Sequence, residues 1–122
     1  MKYTETVSVQ MIVSDPWDWG TEIGVGPFDA TILRWRIGED GRPTGILLRL
    51  AEAVVFRGVE CRYFVGVRDS PRENLEEIIR GNPVECALTH ISEERARSLD
   101  PFDLSWWRGG IGLTCTVRAK QT

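Results

Sequence analysis

The sequence predicts a mainly β protein: a small antiparallel barrel of six or seven strands, with one capped α-helix and a short second helix. An α+β fold is the alternative. Three observations carry this reading. Apolar and polar residues alternate with period two along most of the chain. Gly, Pro, Asn and Asp punctuate that alternation at short intervals. Only one segment combines helical spacing with clear start and stop signals. The 122 residues read as one domain.

The first strand is predicted over 6–13, with Val7, Val9, Met11 and Val13 on one face and Thr6, Ser8 and Gln10 on the other. A Gly-rich connection, "GTEIGVGP", follows. It lacks the Gly-Lys-Ser/Thr ending of a phosphate loop, so it reads as a surface loop. The second strand is predicted over 31–37, with Leu33, Trp35 and Ile37 inward and Arg34 and Arg36 outward. "GEDGRPTG" is turn chemistry. Residues 45–56 read as strand with a bend near Ala51-Glu52-Ala53. Arg57-Gly58 then turns a two-residue hairpin. Its second arm sets Val59, Cys61, Tyr63, Val65 and Val67 against Glu60, Arg62, Phe64 and Arg68.

The main helix is predicted over 71–80. Ser70 and Glu73 form a capping box, Pro71 suits the first turn, and Leu75, Ile78 and Ile79 share a face. Gly81 and Pro83 stop it. Residues 84–90 return to strand. Ser92 caps a second helix over 93–99, with Ile91 stapled onto Ala96. The last strand runs over 111–117, with Ile111, Leu113, Cys115 and Val117 inward. Six strands of this length close into a small barrel, the architecture of OB-like, SH3-like and translation-factor barrels. Architecture alone does not fix function.

Composition narrows the function classes. Hydrophobic residues make up 42% and charged residues 27%, which excludes wholesale disorder. The first ten residues lack the apolar core of a signal peptide, and no apolar run approaches the roughly 20 residues of a membrane helix. A cytoplasmic protein is expected. The net charge of -3 disfavours nucleic acid as a partner. Cys61, Cys86, Cys115 and His90, the only histidine, all fall in the inward phase of their strands. They lack paired Cys-x-x-Cys spacing, so reduced core thiols are expected, with no metal and no cofactor.

Two similar stretches, "DPWDWGTEIGVG" and "DPFDLSWWRGGIG", read as joints at the barrel end. In each, an Asp caps a turn that Pro begins. Trp17, Trp19, Trp106 and Trp107 lie in or beside these joints. With Arg108 they form the candidate binding surface, because Trp joins a large apolar body to an N–H donor. A second candidate is an anion-binding strand face of Arg34, Arg36, Arg49, Arg62, Arg68 and Arg118. Thirteen arginines against two lysines favour such contacts. The leading expectation is a non-enzymatic protein-interaction module of adaptor or toxin-neutralising type, with another protein as partner. A nucleic-acid or nucleotide binder is the alternative. A carboxylate-based enzyme, using Asp15, Asp18, Glu22, Asp29, Asp100 or Asp103, ranks below both.

Overall fold

The computed structural model describes residues 5–15, 24–56, 58–68, 74–102 and 112–120. Six strands close an antiparallel barrel: β1 (Val7–Asp15), β2 (Phe28–Ile37), β3 (Pro43–Phe56), β4 (Val59–Arg68), β5 (Val84–Ile91) and β6 (Gly112–Ala119). Each strand pairs with its sequence neighbour, and β6 closes the barrel on β1, with Met11 opposite Val117 and Val13 opposite Cys115. Connections β1–β2, β3–β4 and β5–β6 therefore leave one end, and β2–β3 and β4–β5 the other. Among the described residues, no helix is long and apolar enough to cross a membrane.

Uninterrupted alternation fills the interior from β1, β5 and β6. Val9, Met11, Val13, Val84, Cys86, Leu88, Leu113, Cys115 and Val117 are all buried in one cluster. Ile32, Trp35, Ile46, Leu48 and Phe64 complete it from the other strands. Gly66 belongs to this wall because a Cβ there would collide with the Leu88 side chain. Burial of this size is the main force holding the barrel shut.

Two bulges correct the expected faces. On β2, Ile32 pairs with Leu48 and Arg34 with Leu47, so Leu33 is an extra residue. Such an insertion reverses the phase beyond it. Leu33 therefore packs on the outer wall and Ile32 and Trp35 both face the core, while Ile37, past a second register shift after Arg36, is exposed. On the β3–β4 hairpin, Arg49 pairs with Tyr63 but Val54 pairs with Cys61. The surplus residues of β3 form the bend expected near Ala51–Ala53. Beyond it, Phe64 points inward, while Tyr63 and Val65 point outward. The hairpin turn is as expected: Gly58 has φ +81°, which a side chain disfavours.

The helices are shorter than the sequence suggests. In place of an α-helix over 71–80, the described residues hold a 3-10 turn, Leu75–Ile78. Asn74 caps it, accepting from the Glu76 N–H at 3.0 Å; Ser70, Pro71 and Glu73 lie outside the described residues. Side chains three apart eclipse in a 3-10 turn. Leu75 and Ile78 thus enter the barrel mouth together, both fully buried, against β3, β5 and β6. The second helix, α1, spans only Glu93–Ala96. Ser92 caps it by accepting from the Arg95 N–H at 3.1 Å, and Ile91 and Ala96 share a buried cluster, as the staple requires.

Segment 92–102 forms a strap across the outside of the barrel. It covers Leu47, Tyr63, Val65 and Ile91, with Ala96 and Phe102 buried against them. Arg34 anchors the chain just past α1. Its guanidinium donates to the Ser98 and Leu99 carbonyls, both at 2.9 Å. Phe102 then lies over Gly45, where a Cβ would stand 3.2 Å from its ring. Asp100 behaves as a cap, accepting from the Phe102 N–H at 3.1 Å.

Candidate functional site

The β3–β4 hairpin is longer than its neighbours, and this builds the site. The last β2 partner of β3 is Leu50, paired with Ala30. The last β5 partner of β4 is Tyr63, paired with Ile91. Beyond these positions, among the described residues, Ala51–Phe56 and Val59–Arg62 ladder only with each other. The hairpin therefore presents two short open edges. Its apolar side chains are unusually bare: Val55 is 67% and Val59 49% exposed.

Along the β4 edge, in the place β5 vacates as it turns into α1, lies a groove of about 430 Å³. Val59, Glu60, Arg62 and Tyr63 form one wall, and His90, Ile91, Ser92 and Glu93 the other. A second hollow of about 420 Å³ continues past the same joint to Glu94, Arg95 and Ser98. Local chemistry holds the far wall in place. The Tyr63 hydroxyl meets Glu93 at 3.4 Å, and Glu93 pairs with Arg97 at 2.9 Å. The Ser92 oxygen is occupied in capping α1. His90 stands opposite Phe64 in the β4–β5 ladder and sets its ring edge-on to that phenyl, with centroids 5.7 Å apart. Burial holds its pKa below the ordinary 6.5, so the imidazole is neutral near pH 7.

The groove joins polar and apolar side chains along one open strand edge. Its charges are mixed, its serine is held by a cap, and the thiols lie in the core. Burial raises the Cys61 pKa and pushes Cys115 up to about 12, which keeps both protonated. Among the described residues, no group of three or more His, Cys, Asp or Glu side chains gathers to hold a metal ion.

Of the residues singled out from sequence, Trp17, Trp19, Trp106, Trp107 and Arg108 lie outside the described residues. So do Asp18, Glu22 and Asp103. The described strand ends nearest them, Asp15 of β1 and Gly112 of β6, belong to adjacent strands at the grooved end, where Asp15 pairs with Thr114. The arginines are distributed around the wall. Arg34, Arg36, Arg49, Arg62 and Arg118 are exposed; the backbone of Arg68 pairs with Cys86, and its side chain lies outside the described residues. Arg34 is committed to the strap. Arg118 sits opposite Gln10 on β1, away from Arg49 on β3. Arg62 alone lines the groove. Asp29 binds Gln10 at 3.3 Å and Lys120 at 3.2 Å, which lowers its pKa.

Sequence reasoning missed the groove residues Val59, Glu60 and Tyr63, and the bare Val55 on the same hairpin. One signal was available: β-rich sequence around Arg57-Gly58 extends well beyond the lengths of the flanking strands. Comparison with family models, curated proteins and solved structures returned no match.

Proposed function

We propose that this protein is a non-enzymatic interaction module that accepts an extended segment of another protein as an added strand along β4. The observation that carries the reading is the open edge of Val59–Arg62 beside a groove of about 430 Å³. Exposed edges left in soluble folds invite strand pairing, and natural proteins normally cover or blunt them. Strand addition draws affinity from backbone hydrogen bonds and specificity from alternate side chains. Here Glu60 and Arg62 would select a segment carrying the opposite charges, and bare Val59 would add apolar contact. Trp17, Trp19, Trp106 and Trp107 would extend the contact surface from the segments that border the same barrel end. A cytoplasmic setting suits the reading.

Affinity capture with the whole chain tests it. Wild type should retain a protein partner. Val59→Asp, Arg62→Glu and Trp107→Ala should each weaken retention at least tenfold while circular dichroism and melting temperature hold. Wild-type retention by all three variants would overturn the surface. Binding to single-stranded RNA or a polyanionic resin, lost on Arg49→Glu with Arg118→Glu but not on Val59→Asp, would favour the arginine reading instead.

A further inference from the structure

Three thiols lie in the core, but only two of them face each other. Cys86 on β5 and Cys115 on β6 are opposed in register, and both are fully buried in the same interior cluster. Directly opposed residues of an antiparallel pair stand about 4.5–5.5 Å apart at Cα. Disulfides span about 4.4–6.8 Å between Cα atoms. The two Cβ atoms project to the same side, as the bond needs. Cys61 is the built-in control: it sits on the hairpin, opposite Val54, at the grooved end. All three are thiols, none joined in a disulfide.

We infer that Cys86 and Cys115 form a cross-strand dithiol that a small disulfide of the glutathione type converts to a disulfide, stapling β5 to β6. Burial keeps the closed barrel unreactive, so the reaction starts when β5 and β6 part. One thiol then gives its proton to solvent, and its thiolate attacks the small disulfide. A mixed disulfide forms and one small thiolate leaves to be protonated. The second protein thiol, deprotonated in turn, attacks the protein sulfur of that mixed disulfide and expels the second small thiol. Two protein thiols and one small disulfide become one protein disulfide and two small thiols. The two electrons lost by the pair reduce the oxidant. The new bond then bridges strands already in register and closes the loop that contains the strap.

The experiment incubates the purified full chain with oxidised glutathione across urea concentrations below the unfolding midpoint. Free thiols are alkylated and the protein is digested with trypsin. Trypsin places Cys61 in peptide 58–62, Cys86 in 81–95 and Cys115 in 109–118. The expected product links 81–95 to 109–118, with Cys61 alkylated. Its formation should accelerate with urea, and the linked protein should melt at a higher temperature than the reduced one. Cys86→Ala or Cys115→Ala should abolish the link, and Cys61→Ala should leave it intact. Any one of four results overturns the inference: a link through Cys61, glutathione adducts at Cys86 or Cys115 without a link, a linked protein that melts lower, or a pair still reduced after the β5 and β6 amides have exchanged with deuterium.

Discussion

The two ends of the barrel solve the same problem in opposite ways. At one end, Leu75 and Ile78 drop from a single 3-10 turn into the mouth and are fully buried. At the other, the hairpin overshoots, leaving Val55 and Val59 largely bare beside a groove. One end spends its apolar residues on stability, while the other holds them in solvent. Bare apolar side chains confined to one end support the proposal that contact is made there.

The largest effect should come from the closed end. Ile78→Ala should lower stability by about 3–4 kcal/mol, the usual range for an aliphatic side chain removed without collapse of its cavity. The urea midpoint should fall with an unchanged slope. A loss under about 1 kcal/mol would mean that the turn rests on the barrel without plugging it.

The strap comes next. Phe102→Ala should cost about 2–3 kcal/mol, because solvent can enter part of the space left on an outer wall. Arg34→Ala should cost about 1 kcal/mol, since its two bonds to Ser98 and Leu99 are exposed. Hydrogen exchange should then rise in 92–102 before it rises in β1 or β6. Uniform exchange across the chain would show instead that strap and barrel open as one unit.

A pH effect separates the ends further. His90 has a lowered folded pKa, so the unfolded chain takes up its proton first as pH falls. Stability is therefore level above the ordinary 6.5 and declines as pH drops from there towards the folded pKa. Carboxylates titrate lower, near about 4, so the window from about pH 7 to 5 belongs to His90. His90→Gln should flatten it in urea midpoints taken at each pH.

The smallest stability effect should come from the open end. Val55→Thr should change stability by no more than about 0.5 kcal/mol, as an exposed position does. Any weakening of partner capture by that variant would then be a surface effect.

The sequence read well where alternation ran unbroken. On β1, β5 and β6, every inward residue named in advance and described in the structure is in the core, apart from half-buried Val7 and His90. It misread β2 at the bulged residue and β4 beyond Cys61, where the inward phase changes beside the β3 bend, because such irregularities carry no residue signature. Leu33 is the inserted residue, and Tyr63 follows the change of phase between Cys61 and Phe64. The long helix was inferred from the capping signals of Ser70–Glu73; within the described residues, Asn74 caps a turn instead, and the barrel mouth takes in Leu75 and Ile78. The groove was less legible still. It arises from where two neighbouring strands stop, a relation between segments far apart in the chain. The aromatic candidates fall outside the described residues.

The pairing of β1 with β6 also governs the order of assembly. Of the six strands, the earliest made finds its second partner only when the latest is complete. Until then β1 pairs with β2 on one side and exposes a long edge on the other, bulged only between Val13 and Asp15. Such closure is non-local, and folding rates fall as contacts grow more distant in sequence. A ribosome-bound chain lacking β6 should therefore be the species most prone to aggregate. Supplying 112–120 as a separate peptide should rescue it.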